Sequence, residues 1–119
     1  MYFSLRVICN RSIVETINQR VEELTNYLNL SDDYAFLPYW KEEECVILDL
    51  GAEIETPPNR SKIQQYVKYI SGTDNISQCG SSNYWEYEHL NDWEFAYFAS
   101  HDELHSNQNV AFVVCGIDG

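Results

Sequence analysis

The segment from Val14 to about Leu28 places apolar residues at the three- and four-residue spacing of an amphipathic α-helix. The stripe consists of Val14, Ile17, Val21, Leu24 and Leu28. Ser12 and Glu15 match a capping box, in which the two side chains satisfy free backbone N–H groups at a helix start. Because a helix with one apolar stripe must bury it against another layer, this segment requires a partner layer in the fold.

A second helix is predicted from about Arg60 to Ser71, with Asn59 or Ser61 as its N-cap and Gly72 at its end. Its apolar stripe is formed by Ile63, Val67 and Ile70, flanked by Tyr66. Since each helix has a single stripe, the two fit one helical layer stacked on one face of a sheet.

The remaining apolar segments alternate with period two or run continuously over a few residues, as strands do. Strands are predicted at Tyr2 to Cys9, Tyr34 to Trp40, Cys45 to Leu50 and Val110 to Gly116. Pro38 places the second of these at a sheet edge, because proline has no N–H to donate to a neighbouring strand. The continuous apolar run after Cys45 is typical of a central strand.

Aromatic residues alternate with acids between Asn83 and Ser100. One parity holds Trp85, Tyr87 and His89 and, further on, Trp93, Phe95 and Tyr97, whereas the other holds Glu86, Glu88 and Glu94. Leu90 to Asp92 separates the halves and tolerates turn geometry, so the pattern predicts a hairpin. An ordinary core hairpin with a solvated outer face and a binding surface both fit this pattern.

Polar segments separate these elements, and Lys41 to Glu44, Thr73 to Ser82 and His101 to Asn109 are predicted to be turns or loops. The predicted order is therefore βαββαβββ. It favours an α+β fold, with two helices packed on one face of a mostly antiparallel sheet, and specifically a split βαβ, ferredoxin-like arrangement extended by one strand. A length of 119 residues predicts a single domain over residues 1–119.

The chain is strongly acidic, with 19 Asp and Glu against 7 Lys and Arg and a formal net charge of −12. This charge repels nucleic acids and anionic membranes and favours a basic protein partner. No apolar run approaches the roughly 20 residues that span a bilayer. Because Met1 to Asn10 alternates like a strand and lacks the features of a signal peptide, we expect a cytoplasmic protein.

We expect neither a metal nor another cofactor. The four cysteines lie more than thirty residues apart in the sequence, so they form no close ligand pair, and in a reducing compartment they remain thiols. His101 and His105 have the spacing of two zinc ligands on a helix, with His89 as a third candidate. However, Asp102 stands where the metalloprotease motif requires glutamate, and the residues after His105 are typical of a loop.

Catalysis has no positive support in the sequence, and we predict neither catalytic residues nor a small-molecule substrate. Pairs of carboxylates are uninformative among 19 acids. The chain contains neither the Gly-x-Ser-x-Gly elbow of serine hydrolases nor a glycine-rich phosphate loop.

In size, charge and aromatic content the chain resembles bacterial immunity proteins of contact-dependent inhibition and related polymorphic toxin systems. The resemblance extends over the whole chain but is carried by no motif. It implies a small inhibitor that neutralises a cognate basic toxin domain, in many systems a nuclease, by covering the active site.

The predicted partner-binding surface is the acidic face of the aromatic hairpin, where carboxylates steer a basic partner and aromatic side chains anchor it. It comprises Tyr84, Glu86, Glu88, Asp92, Glu94 and Phe98. One alternative is a DNA mimic that inhibits a nucleic-acid-binding protein, since spaced carboxylates resemble a phosphate track. Another is a small hydrolase or metal-binding enzyme.

Overall fold

The computed structural model describes residues 1–31, 33–80, 93–106 and 109–118. In this part of the chain the strands are β1 (Tyr2–Asn10), β2 (Leu37–Pro38), β3 (Cys45–Glu53), β4 (Ser77–Gly80), β5 (Trp93–Tyr97) and β6 (Phe112–Asp118). The helices are α1 (Val14–Tyr27), α2 (Arg60–Ser71) and α3 (His101–His105), and a 3₁₀ turn at Arg11–Ile13 precedes α1.

The strands form one six-stranded antiparallel sheet in the order β2-β3-β1-β6-β5-β4. The crossover through α1 connects β1 to β2 on the far side of β3. Likewise, α2 follows β3, and β6 lies on the far side of β1. Skipping β3 in the first half is the split βαβ arrangement of ferredoxin-like folds. In the second half, α2 leads to β4 at the opposite edge of the sheet, and the chain returns through β5 and α3 to β6 beside β1. The predicted α+β class and antiparallel sheet are confirmed.

The main core lies between the inner face of the sheet and the layer formed by α1 and α2. Alternate residues of β1 point into it, namely Phe3, Leu5, Val7 and Cys9. The predicted stripes face them, with Ile17, Val21 and Leu24 from α1 and Ile63, Val67 and Ile70 from α2, all fully buried. The helical spacing therefore identified the central residues of both stripes correctly, whereas Val14 and Leu28 at the ends of the first stripe are only half-buried.

The start of the first helix differs from the predicted capping box. The side chain of Asn10 accepts a hydrogen bond from the Ser12 N–H, and the chain makes a 3₁₀ turn before α1 begins at Val14. The second helix begins as predicted, because the Asn59 side chain accepts from the Lys62 N–H. It ends at Gly72, whose φ of 80° suits glycine and whose missing Cβ leaves room for the Asn109 carbonyl.

Three predicted elements need correction. The strand predicted from Tyr34 to Trp40 is reduced to β2, which is consistent with a proline at the edge. The predicted loop at Thr73 to Ser82 contains β4, which pairs with β5. Likewise, the connector predicted from His101 begins with α3. The first half of the predicted hairpin, Trp85 to His89, lies outside the described residues.

The outer face of the sheet has a small second cluster at one end, formed by Ile8, Cys45 and Ile47 under Leu104 of α3. This helix covers strand residues that the alternation of β1 and β3 would otherwise leave in solvent. Each helix in the described part of the chain is too short or too polar to span a lipid bilayer.

Candidate functional site

Four of the predicted partner-binding residues, Tyr84, Glu86, Glu88 and Asp92, lie outside the described residues. The other two are described. Glu94 lies on β5 and is half-buried, while Phe98 follows β5 and is 58% exposed. Their parity places both on the outer face of the sheet, about 13 Å apart along the chain. The structure therefore places Glu94 and Phe98 on the outer face of the sheet, at separate points of it.

Phe98 belongs to a larger group of exposed apolar side chains around α3. Its ring packs edge-on against Phe112, with centroids 5.7 Å apart. On the other side of α3, Trp40 is 70% exposed and packs edge-on against Tyr39 at 5.0 Å. Both supporting rings, Tyr39 and Phe112, pack against the small outer cluster. Trp40 and Phe98 are thus both supported by rings that pack on the same outer cluster. The sequence did not mark Trp40 as a binding residue.

The turn between β2 and β3 adds negative charge beside Trp40. The chain is held there by backbone hydrogen bonds from Tyr39 N–H to the Cys45 carbonyl and from Cys45 N–H to the Glu42 carbonyl, both 3.1 Å. The side chains of Glu43 and Glu44 are exposed. We call Leu37, Trp40, Glu43, Phe98 and Asp102 the outer surface; all five are exposed.

The short helix α3 is held by side chains at its start. Ser100 and Glu103 form a reciprocal capping box, the motif that the sequence suggested for α1. Glu103 also accepts a hydrogen bond from the Tyr97 hydroxyl, which lowers the pKa of the Glu103 carboxyl and raises that of the Tyr97 phenol. Asn10 donates to the Leu104 carbonyl at 3.0 Å and so connects the helix to the sheet.

This helix brings two histidines to one carboxylate. Glu42 Oε1 lies 2.8 Å from His101 Nδ1, and Glu42 Oε2 lies 3.1 Å from His105 Nε2. The two imidazole rings are tilted by 38°, with centroids 4.3 Å apart. The second ring nitrogen of His105, Nδ1, lies 3.1 Å from Glu44 Oε2. The side chains of Glu42, Glu44, His101 and His105 therefore form one cluster, in which imidazole nitrogens face carboxylate oxygens.

The two carboxylates favour the protonated form of His105. The hydrogen bond to Glu44 raises the pKa of His105, and Glu42 acts in the same direction, while partial desolvation opposes them. Protonated His105 offsets part of the negative charge of the acidic turn.

The described chain also has a groove of about 560 Å³ beside the C-terminal end of α1. It is lined by residues 27–30 and 53–58, including the carboxylates of Glu53 and Glu55. The other polar side chains in its lining are those of Tyr27, Asn29 and Thr56.

The His101 and His105 pair was visible in the sequence, but its carboxylate partner was not. Glu42 is separated from His105 by 63 positions and belongs to a run of three glutamates with no distinguishing feature. The sequence indicated the pair through the four-residue spacing of the histidines. In the one-turn helix, this spacing points both side chains in the same direction.

No protein-family model matches the chain, and neither the curated proteins nor the solved structures contain a significant match. Function is therefore inferred from the outer surface and from the cluster around Glu42.

Proposed function

We propose that the chain binds a basic protein through the outer surface and blocks the activity of that protein, as an immunity protein blocks its toxin. The observation that supports this is the pair of exposed aromatic side chains, Trp40 and Phe98, among exposed carboxylates on both sides of α3. Large aromatic side chains at the centre of an interface contribute much of the binding free energy.

The two anchors fit within one interface. They follow β2 and β5, which are four strand spacings apart in the sheet, or about 20 Å. A standard interface covers about 800 Å² of each partner, a patch roughly 30 Å across. One partner can therefore cover Trp40, α3 and Phe98 together. The rings of Tyr39 and Phe112 pack against Trp40 and Phe98 and restrict their motion. Binding therefore costs little side-chain entropy.

Charge selects the class of partner. The net charge is −12, and the outer surface itself carries Glu43 and Asp102, both exposed. A partner rich in Lys and Arg is attracted over long range and then pairs with these carboxylates. In the toxin systems that the chain resembles, such a partner is a basic toxin domain.

A DNA mimic is the competing interpretation of the same charge. A mimic of the phosphate track needs spaced carboxylates, whereas the outer surface also exposes the large apolar side chains of Leu37, Trp40 and Phe98. These side chains are suited to pockets on a protein partner. We therefore expect one tight protein partner, not a set of proteins that bind duplex DNA.

Two substitutions test the surface. The partner is captured from the native host, identified, purified and titrated with the chain by calorimetry. Trp40→Ala and Phe98→Ala should each weaken the complex at least tenfold, because each removes a large apolar contact (about 1.4 kcal/mol or more). Both variants should also lose potency in an assay of the partner's own activity.

Tyr69→Ala is the matched control, because Tyr69 is 45% exposed on α2, on the opposite side of the sheet. It should bind as the parent does. If Trp40→Ala and Phe98→Ala both keep the parent dissociation constant, the outer surface is not the binding site. Displacement of the partner by duplex DNA, without inhibition specific to one protein, would instead support a DNA mimic.

A further inference from the structure

We infer that Glu42, His101 and His105 form a binding site for a divalent transition metal ion, with Zn²⁺ as the first candidate. One ligand atom from each of the three residues can be chosen so that all lie within 4.8 Å of one another. The inference concerns the isolated chain and does not depend on a protein partner.

The backbone holds the two histidines in a shared orientation. They are one helical turn apart in α3, where side chains at positions i and i+4 point the same way. The helix itself is fixed by the Ser100 capping box and by the buried Leu104. As a result, the ring centroids are 4.3 Å apart in a helix that is only five residues long.

The carboxylate ligand, Glu42, belongs to a different part of the fold. Glu42 lies in the turn before β3, and its backbone is fixed by hydrogen bonds to Tyr39 and Cys45. Its two oxygens lie 2.8 Å and 3.1 Å from the nearest histidine nitrogens. Neighbouring ligand atoms around a tetrahedral Zn²⁺ are about 3.3 Å apart, given bond lengths near 2.0–2.1 Å. The three ligand atoms lie within 4.8 Å of one another, so the widest pair must draw together by up to about 1.5 Å to admit the ion, a movement within reach of side-chain rotation.

A second carboxylate orients one of the ligands. Glu44 Oε2 lies 3.1 Å from His105 Nδ1, so Glu44 can accept this N–H while a metal ion takes the place of the proton on Nε2, the nitrogen that faces Glu42. A carboxylate on the outer nitrogen of a metal-binding histidine fixes the ring tautomer and raises its basicity. Glu44 is thus a positioning residue for the proposed site.

The chemistry of the three ligand side chains favours one class of metal ion. Two imidazoles and one carboxylate suit Zn²⁺ and its first-row neighbours, whereas Mg²⁺ and Ca²⁺ prefer oxygen ligands throughout. Three protein ligands leave a fourth position for water or for a group of another molecule. The side chain of His101 is 64% exposed, so the ion has access from solvent.

The first measurement is zinc titration of chelator-treated protein by calorimetry at neutral pH, together with elemental analysis after dialysis. One equivalent is expected in the parent. His101→Ala and His105→Ala should each weaken binding at least tenfold, and Glu42→Gln should also weaken it. Glu44→Gln should weaken it by roughly 10–100-fold, the range found for orienting carboxylates.

Glu43→Gln and Asp102→Asn are matched controls, since each removes one exposed carboxylate next to a proposed ligand and should leave zinc affinity unchanged. Circular dichroism confirms that every variant is folded. Co²⁺ is a second probe, and its visible spectrum should show nitrogen and oxygen ligands without the charge-transfer bands of thiolates. If the parent binds no zinc, or if both histidine variants bind it as tightly as the parent, the inference is wrong.

Discussion

Three cysteine side chains, Cys9, Cys45 and Cys115, are fully buried as free thiols. Cys9 and Cys115 belong to the main core, and burial raises the pKa of each thiol to about 12. The cause is desolvation, which disfavours the charged thiolate. In the folded protein these two residues therefore behave as small apolar side chains.

This pKa shift predicts slow thiol chemistry and a loss of stability at alkaline pH. Iodoacetamide at pH 8 should modify Cys9 and Cys115 far more slowly in the folded protein than in urea, because the thiolate is the nucleophile. Mass spectrometry of each peptide measures the two rates. Since the folded pKa lies above the unfolded value of 9.0, their contribution to stability is present below pH 9 and is lost as the pH rises towards 12. Equal labelling with and without urea would contradict the buried position.

At the scale of the element, α1 depends on a stripe that has no access to water. Val21 and Leu24 are fully buried against the sheet, and Ile17 lies one turn before them. The hydrophobic contacts of this stripe, and not its helix cap, fix the helix, because the N-cap residue Ile13 makes no side-chain hydrogen bond.

Replacing Val21 by aspartate should lower the free energy of unfolding by roughly 3–5 kcal/mol, because it places an unpaired charge in the core. Gln19→Asp introduces the same side chain at an exposed position of the same helix and should change stability by about 0.5 kcal/mol or less. Urea denaturation of both variants gives the comparison. A Val21→Asp protein as stable as the parent would mean that this side chain faces solvent.

At the scale of the whole molecule, charge controls how fast a partner arrives. With a net charge of −12, the association rate with a basic protein should fall as salt is added, because the screening length is about 10 Å at 0.1 M. The dissociation rate should change much less, since it depends on the apolar anchors. Stopped-flow measurements over a range of salt concentrations separate the two rates.

A triple charge reversal tests whether the predicted hairpin acids contribute to this steering. Glu86→Lys, Glu88→Lys and Glu94→Lys together should slow association with the purified partner, with the largest loss at low salt. The control reverses Glu15, Glu22 and Glu55, three exposed acids elsewhere, for the same change in net charge. If both triple variants slow association equally, the total charge governs the rate and the hairpin acids have no special part.

Both long helices and most of the sheet are predictable from the order of residues, because their signals are local. Three- and four-residue spacing identified Ile17, Val21 and Leu24 as buried, and Asn59 and Gly72 mark the ends of α2. The α+β class follows from two helices with one apolar stripe each among several strands. Such patterns depend only on whether each residue faces the core or solvent. They can therefore be recognised without knowing which distant segments are neighbours.

Which distant residues meet depends on how the strands and helices assemble. The sheet order brings the turn before β3 alongside α3, so Glu42 lies between His101 and His105 and Trp40 becomes an exposed neighbour of that helix. The single turn of α3 is too short to leave a helical period in the sequence, and its packing on Ile8 and Ile47 stabilises it. Contacts between segments this far apart depend on how strands pair and helices pack, and no local spacing encodes them.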